Sequence, residues 1–267
     1  MIGRRVLPAK YVEFNESWGA PGGHPVAAPV RRDIRLAQPR AEYGPFAYQL
    51  ASGTREFEYP WTFFAADTSP GTRVLDVGGC VGGLQFVFAL EGCEVVNADP
   101  FDEDGAGWPS GRNREPMTPE LHARLNDLFG TDVRLVRSPV QDADLPDGSF
   151  DRAVCVSVLE HLGQARAESA AARIGQLLAP DGLFLTTIDL FLDLEPFGVL
   201  RRNLYGTNID VAALVAASGL QLLSGDRREL FGFPEFDRDR LVSEVDDLLI
   251  AKHYPVVSQA LVLRKPA

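Results

Sequence analysis

The sequence predicts an α/β fold: a doubly wound, mostly parallel seven-stranded sheet with helices on both faces and an N-terminal cap. Three observations carry this. Residues 73–91, RVLDVGGCVGGLQFVFALE, pass from a short apolar run through a glycine-rich turn into an amphipathic segment stopped by Gly92. That order reads as strand, loop, helix. A second apolar run, Cys93 to Ala98, ends in a lone acid, Asp99. Beyond it, apolar and β-branched runs alternate with helical spacing to the end of the chain, the pattern of a wound α/β sheet.

The glycine turn sets the chemistry. Gly78, Gly79, Gly82 and Gly83 leave backbone N–H groups open at the start of a helix, whose N-terminal end is electropositive. A ligand carboxylate or phosphate can settle there. Glycine also serves close helix–strand packing, so the turn alone is a weak signal. Asp99 sharpens it, because it follows the first strand at about the 20-residue separation expected of a ribose-binding acid. An ionised carboxylate only accepts hydrogen bonds, and its two oxygens can take one from each ribose hydroxyl. The bland alternative is an acid that starts a turn ahead of Pro100.

Residues 1–58 do not form a regular βα unit. Gly19, Pro21, Gly22, Gly23, Pro25 and Pro29 interrupt them. Tyr11, Phe14, Trp18, Tyr43, Phe46 and Tyr48 supply more large apolar groups than a disordered tail carries. They read as an ordered, partly helical extension, a lid over the site, with residues 59–267 as the main domain. Tyr59-Pro60-Trp61 opens a helix with proline in its first turn. Residues 67–71 end it with turn chemistry. FDEDGAGWPSGRNREPM, residues 101–117, reads as an exposed functional loop. Thr118-Pro119 caps a helix with Leu121, Leu125 and Leu128 on its apolar face and Gly130 at its end. Further strands are expected at 133–136, 153–158, 183–188, 220–223 and 256–263. Turns are expected at 146–148 and 180–182, and helices over 167–178, 210–218 and the VSEVDDLL segment.

Composition bounds the function. The 267 residues suffice for one large domain with an extension, and 45% apolar with 24% charged content is ordinary for a globular protein. The formal net charge of −11 argues against a nucleic-acid polyanion as the main substrate. No apolar run approaches the ~20 residues that span a bilayer, and MIGRRVLPAK lacks the apolar stretch of a signal peptide. Cys80, Cys93 and Cys155, odd in number and without CxxC spacing, suggest neither a disulfide framework nor a zinc site. A cytoplasmic protein without a metal is the expectation, and a homodimer is compatible with it.

The chain resembles the class I S-adenosylmethionine-dependent methyltransferases. The resemblance rests on VLDVGGCVGG at 74–83, NADP at 97–100, LPDGSFDRAVCVSVLEHL at 145–162 and LLAPDGLFLTTIDL at 177–190. One departure stands out: the family's loop usually reads Asp-x-Gly-x-Gly-x-Gly, and Cys80 occupies the middle glycine. A dinucleotide-binding dehydrogenase, the rival for a glycine-rich turn, is disfavoured by Asp76 inside the strand before the glycines. The resemblance implies S-adenosylmethionine as cofactor. Asp76, Gly78, Gly79, Cys80 and Gly82 would hold its amino-acid end, Asp99 and Pro100 its ribose, and Tyr59 would flank it. After the third strand the family usually carries an acid-small pair that meets the adenine edge. Pro139 has no N–H to give there, but Val140 N–H can donate and Gln141 or Asp142 can accept. By resemblance the last strand runs antiparallel beside the fifth.

Ser157, Glu160 and His161 fall at the carboxyl end of the fourth strand, at the cleft. An unperturbed imidazole titrates near ~6.5, so His161 can take the proton of an acceptor hydroxyl, with Glu160 or His24 of the extension behind it. In the family the histidine of Leu-Glu-His also serves as a structural or pocket-lining residue. Asp189 ends the fifth strand, either touching substrate or metal or as a solvated loop acid. Trp61, Arg202 and Tyr205 are further acceptor-binding candidates. The acidic balance, the aromatic extension and the insertion at 191–207 favour a small or medium-sized metabolite, a sugar or specialised product, methylated at oxygen. The alternatives are a protein or peptide methyltransferase, and a cofactor-binding regulatory protein or cyclase on the same fold.

Overall fold

Strand residues alternate between two apolar layers, and that alternation sets the architecture. Val74, Val154 and Leu185 face one layer; Leu75, Ala153 and Phe184 face the other. Both faces of the central strands are covered, as a mostly parallel sheet requires. The computed structural model describes residues 1–30, 38–101, 118–252 and 254–267. Among them the sheet has seven strands: β1 (Arg73–Val77), β2 (Glu94–Ala98), β3 (Arg134–Val136), β4 (Phe150–Val156), β5 (Leu178–Phe191), β6 (Gln221–Ser224) and β7 (Val256–Arg264). Their order is β3-β2-β1-β4-β5-β7-β6. β1 runs parallel to β2 and β4, β2 to β3, and β4 to β5. β7 is antiparallel to β5 and β6, as expected of the last strand. The winding reverses between β1 and β4, which opens a crevice outside their carboxyl ends.

Helices α1 (Ala9–Trp18), α2 (Arg55–Ala66), α3 (Gly83–Leu90) and α4 (Pro119–Phe129) cover one face. α6 (Gln164–Leu177) and α7 (Val211–Ser218) cover the other, with the single turn α5 (Leu159–Leu162) at the end of β4 and α8 (Arg238–Ser243) near the end of the chain. Local signals set several helix ends. Thr118 Oγ1 accepts from Leu121 N–H at 3.1 Å, and Gly130 closes α4 with φ +65°. Asp210 Oδ1 accepts from Ala213 N–H at 2.9 Å and caps α7. Among the described residues, no helix is long and apolar enough to cross a membrane.

The extension is ordered and belongs to the first layer. Tyr11 stacks on Phe64 of α2, Phe14 packs on Phe63, and Phe46 lies against Gly83 at the start of α3. α2 begins at Arg55, not at Tyr59, so a boundary at 58 cuts through a helix. Pro60 is therefore interior and cannot donate to the Glu56 carbonyl one turn back. Asn15 Nδ2 of α1 donates to that carbonyl instead, at 2.8 Å.

Three other elements depart from expectation. β4 stops at Val156 because Ser157 adopts a left-handed φ of +46°. Pro180–Gly182 forms a bulge inside β5: Asp181 has φ +60°, and the pairing jumps from Phe150 with Leu178 to Arg152 with Leu183. VSEVDDLL is not one helix; α8 ends at Ser243 and a 3₁₀ turn spans Val245–Asp247. Glu244, Asp246 and Asp247 would place negative charge on the negative end of a longer helix. The loop expected at 101–117 lies outside the described residues apart from Phe101.

Gly175 of α6 packs directly against the Ser218 carbonyl oxygen at the end of α7, and a Cβ there would collide with it. Alanine would add about 1 kcal/mol of helix propensity, but overpacking against backbone costs about 1–3 kcal/mol. Gly175→Ala is expected to lower the midpoint of thermal unfolding by about 2–4 °C per kcal/mol of net loss. An unchanged or raised midpoint would contradict this close approach.

Candidate active site

The glycine loop leaves β1 through two left-handed residues, Gly78 at φ +72° and Cys80 at φ +48°. A side chain at such a φ costs about 1–2 kcal/mol, which is why glycine suits the position of Cys80. The loop is held in place regardless. Cys80 N–H donates to Asp99 Oδ2 at 2.9 Å, and the Cys80 carbonyl accepts from Asn97 Nδ2 at 2.8 Å. Gln85 Nε2 points at the carbonyls of Gly79, Cys80 and Gly82, at 3.3, 3.1 and 3.0 Å. Gln85 Oε1 accepts from Asn97 Nδ2 and lies 2.9 Å from His122 Nε2, so that nitrogen carries the proton. Burial pushes His122 down to about 4, and the ring is neutral. Burial, with Asp99 adding to it, pushes the Cys80 thiol far above its ordinary value.

Two carboxyls meet at this loop. Asp76 is buried and makes no hydrogen bond or ion pair among the described residues. A Cβ on Gly79 would collide with its Oδ2, so only glycine leaves the loop this close to the acid. Burial first, and then the Asp99 charge, pushes Asp76 up to about 7. Asp99 at the end of β2 is 9% exposed, and its other oxygen accepts from Phe101 N–H at 2.8 Å. Beyond β3, a 3₁₀ turn spans Val140–Asp142, with Val140 buried, Gln141 half-buried and Asp142 exposed; Pro100 is exposed. Gly82 lies against the Gln49 carboxamide of the extension.

A second cluster sits at the ends of β4 and β5. Ser157 Oγ is 2.8 Å from Glu58 Oε1 and 3.2 Å from Asp189 Oδ1, and accepts from Arg55 Nη1 at 2.5 Å. Arg55 also pairs with Glu58, its i+3 neighbour on α2. Tyr59, on the same face of α2, packs between Phe46 and the Arg55 guanidinium. Glu160 is fully buried, and neither carboxyl oxygen makes a hydrogen bond of ordinary geometry. Burial pushes it up to about 8, which the backbone N–H groups of Glu160 and Asp189 and the Arg55 charge only partly offset. Asp189 is pushed well above its ordinary range by burial and by Glu160 and Glu58. His161 Nδ1 lies 2.5 Å from the Tyr205 carbonyl and donates to it, so Nε2 is the basic nitrogen, 3.9 Å from Glu160 Oε1. Burial holds the imidazole below its usual value. Tyr205 stacks on Tyr254 with ring centroids 4.1 Å apart.

The structure thus joins Asp76, Gly78, Gly79, Cys80, Gly82 and Asp99 at one edge, and Ser157, Glu160, His161, Asp189 and Tyr205 at the next. It does not bring in the other three acceptor candidates. Trp61 lies on the opposite face of α2, in the aromatic core beside Phe57. His24 packs against Gly19 and Gly44 within the extension. Arg202 is exposed. Sequence reasoning missed Gln85, Asn97 and His122, although a carboxamide in the apolar runs GLQFVFAL and EVVNA is a usable signal. It also missed Arg55 and Glu58, whose i,i+3 spacing was legible, and Tyr254, for which no signal existed.

No curated protein matches the chain in sequence. Solved structures do match it in fold. The (4+2)-cyclase SpnF superposes with a TM-score of 0.56 at 16% identity, over 100% of both chains. The YcgJ protein of Bacillus subtilis gives 0.53 at 16%, over 79% of this chain and 98% of that one. The 1,6-didemethyltoxoflavin-N1-methyltransferase of Burkholderia thailandensis, with 1,6-didemethyltoxoflavin and S-adenosylhomocysteine bound, gives 0.52 at 20%, over 100% and 95%. A family model described as a methyltransferase domain matches residues 51–246, most of the chain and both clusters. The chain therefore belongs to the methyltransferase-domain family, as an S-adenosylmethionine-dependent enzyme of the class I fold.

Proposed function

We propose that this protein methylates a hydroxyl oxygen of a small or medium-sized metabolite held at the ends of β4 and β5. The observation that carries this reading is His161 at the carboxyl end of β4, with Nδ1 committed to the Tyr205 carbonyl and Nε2, the basic nitrogen, 3.9 Å from Glu160 Oε1 in the carboxyl cluster. Methyl transfer itself rests on family membership and not on fold, since the cyclase SpnF shares the fold.

The first cluster suits the cofactor. Asp76, a buried acid without a partner among the described residues, suits an ammonium group. Asp99 oxygens suit ribose hydroxyls, and Val140 N–H, at the start of its turn, suits the adenine edge. When bound, S-adenosylmethionine supplies an electrophilic methyl on a sulfonium. The residues of this chain then have two tasks. The first is orientation of the acceptor, which can account for ~7–11 kcal/mol of barrier. The second is proton removal: His161 Nε2 takes the hydroxyl proton as the oxygen reacts, a contribution of ~10²–10⁴-fold. Gln49 beside Gly82 and Phe46 beside Gly83 make the extension a cover for the cofactor loop.

Three measurements test this. Calorimetry with S-adenosylhomocysteine should show binding to the wild type and about 10–100-fold weaker binding to Asp99→Ala, the loss of a charged hydrogen-bond acceptor. Wild-type binding that is absent would end the reading. The same titration at several pH values should show affinity rising from pH 6 and levelling above about 7. Asp76 must lose its proton to accept an ammonium, so its raised value weakens binding on the acid side. Asp76→Asn should flatten that dependence; a wild-type curve that is already flat would remove Asp76 from the site. Finally, His161→Gln should retain S-adenosylhomocysteine binding while labelled methyl transfer to the acceptor falls about 10²–10⁴-fold in kcat. A variant with wild-type kcat would exclude His161 as the base.

A further inference from the structure

Carboxyls at the ends of β4 and β5 outnumber the cations beside them. Among the described residues, Glu58, Glu160 and Asp189 share this region with one guanidinium, Arg55, which is engaged by Glu58 and Ser157. Among the described residues, no lysine or arginine pairs with Glu160 or Asp189. Asp189 shares the single Ser157 hydroxyl with Glu58, which lies closer to it. Glu160 is more isolated still: it is 0% exposed, and both oxygens lack a hydrogen bond of ordinary geometry. Buried acids are normally paired or fully hydrogen-bonded; among the described residues these two have only a shared hydroxyl and two backbone N–H groups, which leaves them suited to a further, cationic partner.

The walls of the region fit the same partner. Tyr205 and Tyr254 stack beside it, and Tyr205 is tied to the cluster through its carbonyl bond to His161. Tyr254 also packs on Phe191, two residues beyond Asp189 at the end of β5, and burial first, then the Asp189 charge, pushes its hydroxyl up. Aromatic faces attract cations through the ring quadrupole. An acidic floor with aromatic walls is chemistry for an ammonium group, and it would repel a carboxylate or phosphate.

We propose that the methyl acceptor is an amine-bearing small molecule, its ammonium held between Glu160 and Asp189 against the tyrosine pair, with its hydroxyl toward His161. This rests on the reading of the β4–β5 cluster as the acceptor site. With Arg55 and Glu58 neutralising each other, one ammonium balances one ionised carboxyl. The other keeps its proton and can donate to a neutral oxygen of the same molecule. Amino sugars and hydroxyaryl alkylamines have this chemistry.

The test uses the protein saturated with S-adenosylhomocysteine. Tyramine, tryptamine and glucosamine are titrated by calorimetry, each against its N-acetyl counterpart, which keeps the body and removes the charge. At least one amine should bind tenfold or more tightly than its acetylated partner. Glu160→Gln or Asp189→Asn should shrink that preference to threefold or less. Equal binding within all three pairs would overturn the proposal, as would a preference that both variants retain; tighter binding of the acetylated forms would indicate a protonated acid pair serving as neutral donors. Retained S-adenosylhomocysteine binding shows that a variant is folded, and if both variants lose it, the wild-type pairs alone decide. Failure of the wild type to bind S-adenosylhomocysteine would sink the methyltransferase reading, whereas binding without an amine preference sinks only the acceptor class.

Discussion

One buried carboxamide holds the glycine loop in shape. The loop between β1 and α3 has no strand partner beyond its first residue, where Gly78 N–H donates to the Ala98 carbonyl. Gln85 takes over from there, offering its amide hydrogens to three loop carbonyls and its oxygen to Asn97 and His122. In a low-dielectric interior such a network is strong, although Asn97 Oδ1 is buried without a hydrogen-bond partner. It fixes the loop path, and the loop path in turn places Asp76 and Asp99 on either side of Gly79 and Cys80.

The fold was largely legible because its signals are local. Alternating apolar residues, a glycine turn, N-cap residues such as Thr118 and Asp210, and a glycine after each of several helices need no tertiary knowledge. The edge formed by the glycine loop and Asp99 was legible for the same reason, being one strand, one turn and one acid. The cluster at the ends of β4 and β5 was less so. Ser157, Glu160, His161 and Asp189 lie at strand ends, where chain order puts them near the crevice. Arg55, Glu58 and Tyr254 reach it only through packing. Trp61 was misplaced because α2 is buried on both sides: α1 covers the face carrying Phe57 and Phe64, so apolar periodicity could not say which face turns to the site. Calling Tyr59 the helix start also hid the half-turn that carries Arg55 and Glu58.

The extension is bound to the domain by more than apolar contact. Pro60 deprives α2 of one internal hydrogen bond, and Asn15 from α1 completes it. Ile2 N–H donates to the buried Glu229 carboxylate, and Gly3 N–H to the Ser258 carbonyl of β7. The chain ahead of α2 therefore touches both β7 and the glycine loop.

Cys80 has one more consequence. An enzyme that handles an alkylating sulfonium exposes its own nucleophiles to the reagent, and a thiolate is the most reactive of these. With the donor placed as proposed, a cysteine in the glycine loop is therefore a hazard of self-inactivation. Burial first, and then the adjacent Asp99, push this thiol up and so lower its thiolate fraction.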